Sequence, residues 1–204
     1  MPFNYDKMEK IDNLSQLDLN GTYTYADYLT WQFEQAVELI KGKILPMAAP
    51  NRKHQTISRE IHGMMYNFFQ KAPCEFFAAP FDVRFYDKKK SIKANKDVYT
   101  VIQPDLCIIC DEAKLDDKGC IGAPDLIVEI LSPGNSAKEM RTKKDLYAEN
   151  GVREYWIIDP EHENAFQFLL DNNTTYSPPI IYINEDILNC SIFPDMKINL
   201  NKVF

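Results

Sequence analysis

Two carboxylates in the middle of the chain lie in segments that are otherwise apolar. Glu129 stands in the run Leu126 to Leu131, whose other members are all Leu, Ile or Val, and Asp105 follows Pro104 at the start of another apolar run. An isolated charge inside a protein is costly unless it is paired, hydrogen-bonded or bound to a metal ion. Both positions therefore indicate a residue with a chemical or structural partner.

The two acids could bind one cation together. If their strands are neighbours in a sheet, Asp105 and Glu129 can face each other. Two ionised carboxylates about 4 Å apart repel by about 4 kcal/mol at an effective dielectric near 20, so such a pair requires a cation or a shared proton. Hard oxygen ligands without a His/Cys cluster favour Mg²⁺ or Mn²⁺ over zinc.

A basic helix is predicted after Glu129. It carries Lys138, Arg141, Lys143 and Lys144. Met140, Lys143 and Tyr147 share one stripe at spacings of three and four, so Lys143 is the lysine expected to reach the acids. An ammonium in this place would orient water and stabilise the charge on a phosphate. Lys144 or Arg141 remains an alternative.

Each candidate also has a structural interpretation. Asp105 fits a turn aspartate after proline, and Glu129 fits a structural ion pair with Lys143 or Arg141. His54 lies on an inward helical stripe, where it is either a base or a core or helix-start histidine. Tyr147 either offers its hydroxyl to a carboxylate or only packs in the core.

The elements that must position these residues follow from local patterns. Asp125 to Leu131 reads as a strand, Ser136 to Glu149 as a helix with a Ser136/Glu139 capping box, and Val152 to Asp159 as a strand. This order predicts a right-handed crossover between two parallel strands. Val98 to Cys110, interrupted at Pro104, is expected to pair with the Glu129 strand.

The other patterns predict an α/β domain with a mixed central sheet flanked by helices. The predicted elements are a short helix from Thr24 to Trp31, a hairpin from Ala36 to Met47, an amphipathic helix over 51–71, strands at 75–79 and 81–86, and a small antiparallel extension from Ala165 to Leu170 and Ile180 to Ile183. Residues 1–21 are expected to be a polar segment, and residues 22–204 a single domain.

Bulk properties limit the classes of function. The 204 residues carry 23 Lys and Arg against 30 Asp and Glu, which gives a net charge of −7. This charge disfavours binding to nucleic acid in general, because it repels the phosphate backbone. It does not exclude an enzyme in which a bound cation attracts the phosphate locally. The chain has no apolar segment long enough for a signal peptide or membrane span, so we expect a cytoplasmic protein. The charged run Asp87 to Lys93 is read as a solvated loop, with nucleic-acid contact as the alternative.

Five cysteines form no regular pattern, so reduced thiols are expected. Cys107 and Cys110 form a C-x-x-C, but residues three apart on a strand face opposite sides. We therefore reject a zinc site at this pair.

The acids and the lysine together resemble a known superfamily. Pro104-Asp105, Glu129 on the next strand and a nearby lysine resemble the PD-(D/E)XK nucleases. More specifically, the chain is similar to the Uma-type restriction-endonuclease-like family, a domain of unknown function. The residues that carry this similarity are Gly122 to Pro133, Lys143, Tyr147, Gly151 to Trp156, Glu38 to Gly42 and His54. The resemblance covers most of residues 22–204.

The resemblance implies a restriction-endonuclease-like core with Asp105 and Glu129 as metal ligands and Lys143 as the catalytic lysine. It also makes Glu38 a candidate further acid, with a solvent-facing strand residue as the alternative. In the usual pattern the lysine follows the second acid by two residues, where this chain has Leu131. The resemblance implies that the lysine has moved to the helix.

We expect Mg²⁺- or Mn²⁺-dependent hydrolysis of phosphodiesters in DNA by an endonuclease, and the resemblance implies that it is a homodimer. Asp105, Glu129 and the backbone carbonyl of Ile130 would hold the ion. Two alternatives stay open. One is a binding module that kept the nuclease fold after losing the chemistry, and the other is a hydrolase of a smaller phosphate ester.

Overall fold

The computed structural model describes residues 11–86, 98–171 and 175–204. Within them, the α-helices are α1 (Tyr25–Tyr28), α2 (Arg52–Phe69) and α3 (Ala137–Asn150). The strands are β1 (Val37–Ile40), β2 (Lys43–Pro46), β3 (Glu75–Ala78), β4 (Val83–Phe85), β5 (Thr100–Ile102), β6 (Leu106–Ile109), β7 (Leu115–Asp116), β8 (Gly119–Ile121), β9 (Leu126–Ile130), β10 (Glu154–Asp159), β11 (Asn164–Leu169), β12 (Ile180–Ile183), β13 (Ile187–Asn189) and β14 (Lys197–Asn199). None of the helices in these ranges combines the length and apolar character that crossing a bilayer requires.

The chain forms two compact units. The first comprises the described parts of residues 1–47 and 85–102, and the second comprises 48–84 and the described parts of 103–204. In the first unit, β1 pairs antiparallel with β2 and with β5. The predicted hairpin is confirmed, and its turn places Lys41 and Gly42 at φ 51° and 81°. Glycine adopts this left-handed conformation without the steric cost of a Cβ.

A small aromatic and aliphatic core supports the first unit. Tyr25, Leu39, Val98 and Val101 are buried together. The predicted helix at 24–31 is present but shorter, because α1 ends at Tyr28. Thr24 begins it with a capping box, in which its side chain accepts from the Asp27 amide.

The second unit contains the main sheet, with strands in the order β12-β11-β10-β9-β6-β3. β9 and β10 are parallel, as the strand–helix–strand order predicts. β6 lies antiparallel to β9, with Leu106 opposite Val128, so the predicted pairing of these strands is confirmed. β11 and β12 continue the sheet antiparallel beyond β10. The mixed sheet of the predicted α/β fold is therefore present.

Helix α2 packs against one side of the main sheet through a regular inward stripe. Asn51 caps the helix by accepting from the His54 amide at 2.9 Å. The buried residues recur every three or four positions: His54, Ile57, Ile61, Met65 and Phe69. The last four join a core that includes Leu106, Val128 and Trp156 of the sheet. The inward direction predicted for His54 is confirmed.

Helix α3 begins at the predicted cap, with one difference. The Ser136 side chain accepts from the Glu139 amide at 3.1 Å, which is half of a capping box. The Glu139 carboxylate accepts from Asn135 Nδ2 at 3.0 Å, so the neighbouring loop residue takes the place expected for the Ser136 amide. Gly151 ends the helix at φ 90°, as expected for a glycine stop.

The expectation of reduced thiols is wrong for two of the five cysteines. Cys74 and Cys110 form a disulfide, while Cys107, Cys120 and Cys190 are free and buried. The pairing of β3 with β6 is the reason, because it places Glu75 opposite Ile109 and brings the two neighbouring cysteines together. The two cysteines are 36 residues apart in the sequence, so no local pattern predicts their contact. The charged run at 87–93 lies outside the described residues.

A buried carboxylate at the start of β10 is expected to stabilise the fold. Glu154 is fully buried and accepts from Trp156 Nε1 at 2.7 Å, Gln167 Nε2 at 2.6 Å, and the amides of Ser191 and Ile192, both at 2.9 Å. Glu154→Ala removes an acceptor shared by several donors, so we expect the free energy of unfolding to fall by about 3 kcal/mol. Urea denaturation measures this loss.

The matched control is Glu185→Ala, at an exposed glutamate. We expect it to change the stability by less than about 0.5 kcal/mol. Equal stability of the two variants would contradict a structural role for Glu154.

Candidate active site

Asp105 lies immediately before β6 and is held by the end of β9. Its Oδ2 accepts from the Ile130 amide at 2.7 Å, and its backbone carbonyl accepts from the Ala79 amide at 3.0 Å. The side chain is 21% exposed. The carboxylate therefore reaches the residue that follows Glu129.

Glu129 is surrounded by polar partners from α3. Lys143 Nζ donates to Glu129 Oε1 at 3.1 Å, and the Tyr147 hydroxyl donates to the same oxygen. Both side chains of the ion pair are nearly buried, with Lys143 10% and Glu129 12% exposed. The stripe predicted from helical spacing thus brings Lys143 and Tyr147 together at Glu129.

The other basic residues of α3 lie differently. Arg141 is exposed, and Lys144 Nζ stands 5.7 Å from the centroid of the Phe168 ring. This distance is within the range of a cation–π contact. Geometry therefore favours Lys143 among the three candidate cations, although an ion pair with Glu129 is compatible with both the structural and the catalytic interpretation.

His54 is the partner of Asp105. Its Nε2 lies 3.3 Å from Asp105 Oδ1. Burial of the ring opposes protonation, but the hydrogen bond to Asp105 and the charge of that carboxylate outweigh it and raise the pKa of His54; hydrogen bonding to the Ile130 backbone and the charge of Glu129 act in the same direction. The sequence placed this ring inward but gave no signal for its partner.

Glu38 lies in β1 of the first unit, opposite Leu45 in the hairpin register. It is 1% exposed, so the alternative of a solvent-facing strand residue is wrong. Alternation along a strand does not by itself show which face is covered. Its role near a metal ion stays a prediction.

The chemistry of the predicted ligands suits a hard cation. The Ile130 amide donates to Asp105 Oδ2 at 2.7 Å, so two of the three residues predicted as ligands, Asp105 and Ile130, lie side by side at the end of β9. Carboxylate and carbonyl oxygens are the ligands that Mg²⁺ and Mn²⁺ use in proteins. In the described parts of the chain, His, Cys, Asp and Glu side chains form no group of three arranged to hold an ion, so a backbone carbonyl is needed to complete such a set.

Comparison with known proteins identifies the family. The model of the Uma2 family, described as "Putative restriction endonuclease", matches residues 25–201. A crystal structure from Anabaena variabilis, described as a "putative nuclease belonging to DUF820", superposes with a TM-score of 0.70 at 20% identity, covering 89% of this chain and 97% of that chain. This likeness shows a shared fold.

A curated relative from Synechocystis sp., "Uncharacterized protein slr1290", is 26% identical over 134 residues, which is 65% of this chain and 65% of that protein. The matched range, 25–201, includes each of the predicted site residues. The fold and the family model agree with the expectation drawn from the acids and the lysine. The chain belongs to the Uma2 family of restriction-endonuclease-like proteins.

Proposed function

We propose that the protein is a Mg²⁺- or Mn²⁺-dependent endonuclease that hydrolyses phosphodiester bonds in DNA, acting in the cytoplasm as a homodimer. Membership of a nuclease-like family supports the reaction class. The observation that carries the proposal is the nearly buried ammonium of Lys143 against Glu129, one residue before the amide that holds Asp105. In such an enzyme a positive group beside the acids stabilises the charge that develops on the phosphate.

Asp105, Glu129 and the Ile130 carbonyl are the residues that would hold the ion. A bound divalent ion supplies Lewis-acid stabilisation of the phosphate and lowers the pKa of a water molecule. Lys143 orients the attacking water and offsets the charge that develops on the phosphate. Tyr147 positions Glu129 by donating its hydroxyl to the carboxylate.

Two other functions make different predictions. A binding module that lost the chemistry is favoured by the net charge of −7 and by a lysine placed on the helix. A hydrolase of a small phosphate ester would use the same acids without a surface for a polymer. The set of substrates that the protein cleaves distinguishes both alternatives from the endonuclease.

The test is cleavage by the purified full chain. Supercoiled plasmid, single-stranded DNA, RNA and nucleotides are incubated with Mg²⁺, Mn²⁺ or EDTA. We expect nicked or linear plasmid with either metal and none with EDTA. Glu129→Gln, purified identically, controls for a contaminating nuclease. Intact polymers under every condition would contradict the proposal, and hydrolysis of nucleotides alone would favour the small-ester enzyme.

A further inference from the structure

The last strand of the main sheet exposes an apolar surface at the edge of the sheet. Among the described strands, β12 pairs only with β11. Three of its four residues, Ile180, Ile181 and Ile183, are 46%, 59% and 55% exposed. Natural edge strands often carry a charged residue, a proline or a bulge that prevents pairing with another chain. β12 contains none of these three features, and its residues pair with β11 in an unbroken register. Its outer edge is therefore open to a further strand.

The turn after β12 shows which main-chain groups point outward. The Ile183 amide donates to Asp186 Oδ2 at 2.8 Å, so it points away from β11. In an antiparallel ladder the direction of the main-chain groups alternates along the strand, so the N–H and C=O of Ile181 point the same way as those of Ile183. On the other side of Ile181, the outward position is Pro179, which has no N–H. Ile181 is therefore the residue of this edge that can exchange two main-chain hydrogen bonds with another strand.

The charges along this part of the chain favour a second copy of the protein as the occupant. Residues 154–196 contain no Lys or Arg, and Glu185 and Asp186 lie just after β12. Such a region repels nucleic acid and anionic membranes. In an antiparallel pair of two β12 strands centred on Ile181, the acids of the two copies lie at opposite ends of the pair. Like charges therefore stay apart while the isoleucines meet.

We propose that the protein forms its homodimer by antiparallel pairing of β12 with β12 of a second copy, about a twofold axis at Ile181. Ile181 exchanges both main-chain hydrogen bonds with Ile181 of the second copy, which is the self-complementary contact that a twofold interface requires. The exposed isoleucines of both copies are removed from water by this pairing. The inference rests on the homodimer of the proposed function and assigns its surface.

The axis also sets the position of the two candidate active sites. Glu129 lies opposite Ile157 in the register of β9 and β10. Ile157 lies opposite Phe166, and Phe166 lies opposite Ile181. Glu129 and Ile181 therefore belong to one row on one face of the sheet. A twofold axis through a pair of hydrogen-bonded strands is perpendicular to the sheet, so the dimer carries both copies of Glu129 on the same face of one continuous sheet.

Cross-linking of the full chain tests the position of the axis. In a hydrogen-bonded antiparallel pair the two Cα atoms are about 5.5 Å apart. A short bismaleimide should therefore join two copies of Ile181→Cys, at a concentration where sedimentation equilibrium shows this variant to be dimeric. The matched control is Tyr66→Cys, at a 53% exposed residue of α2, which should not be joined. The native chain, whose free cysteines are buried, should not be joined either.

A charge at the axis tests the stability of the contact. Ile181→Asp places two carboxylates beside each other, so we expect the dissociation constant of the dimer to rise by about 100-fold. Tyr66→Asp should change this constant by less than about twofold. Circular dichroism confirms that each variant is folded, and if Ile181→Asp does not fold, the cross-linking result decides. An unchanged dissociation constant in folded Ile181→Asp, or a dimer of Ile181→Cys that does not cross-link, would overturn the inference.

The same measurements separate this inference from the proposed function. A dimer that does not cross-link through Ile181→Cys keeps the homodimer and removes β12 as its surface. A native chain that stays monomeric at every concentration contradicts the homodimer and this inference together. Metal-dependent cleavage of plasmid by such a monomer still supports the endonuclease.

Discussion

Replacing Lys143 with methionine should reduce DNA cleavage by about 100-fold or more while Mn²⁺ still binds. Methionine keeps most of the length of the buried side chain but removes the ammonium that contacts Glu129 at 3.1 Å. Loss of a positive charge beside the carboxylate does not weaken its attraction for a cation. Single-turnover cleavage and calorimetric titration with Mn²⁺ together measure the two parts of this expectation.

The neighbouring lysine is the control. Lys144→Met removes the same group one residue later, from a side chain that lies over Phe168. We expect cleavage within about twofold of the native rate, since surface substitutions away from a site have small effects. Loss of cleavage in Lys144→Met, with normal cleavage in Lys143→Met, would show that the active lysine had been assigned to the wrong residue.

Replacing Asp105 with asparagine should weaken Mn²⁺ binding by about 100-fold and abolish metal-dependent cleavage. Asparagine keeps an oxygen that can accept from the Ile130 amide, so the loop before β6 retains its hydrogen bond. What it loses is the negative charge and the strong oxygen ligand. Calorimetry with Mn²⁺ and the plasmid assay measure both effects.

The control for this change is Asp145→Asn, at an exposed carboxylate on α3. It should leave both measurements unchanged. Full activity in Asp105→Asn would mean that Asp105 is only a turn residue that anchors the end of β9, and the nuclease proposal would lose its first ligand.

Local sequence patterns were sufficient for the elements that hold Glu129 and Lys143. The apolar run around Glu129 predicted β9, and the stop at Ser132 to Gly134 followed by a cap at Ser136 predicted α3. β9, α3 and β10 are consecutive, so α3 packs on the sheet that contains the two strands it connects. The residues that contact this sheet are then those at spacings of three and four on one face of the helix. That is why the contact of Lys143 and Tyr147 with Glu129 could be predicted.

Contacts between distant segments could not be predicted in the same way. His54 meets Asp105 across 51 positions of sequence, and the register of α2 on the sheet decides which turn of the helix reaches the acid. The disulfide of Cys74 with Cys110 depends in the same way on the register of β3 on β6. No local pattern specifies either register.

The hydrogen bond from the Ile130 amide to Asp105 could not be predicted from the sequence either. It follows from the antiparallel register of β6 and β9, which sets Leu106 opposite Val128 and leaves the next residues of β9 facing the start of β6. The sequence predicted that these strands pair, but not the register. A shift of one residue would turn Asp105 to the other face of the sheet.

The central claim is that Asp105, Glu129 and the Ile130 carbonyl bind one divalent ion beside Lys143. Crystals of the full chain soaked in Mn²⁺ test it through the anomalous scattering of the metal. We predict one strong peak about 2.1 Å from an oxygen of each of these three residues. A structure with Mn²⁺ bound elsewhere, and with these acids holding only Lys143, His54 and backbone amides, would contradict the claim.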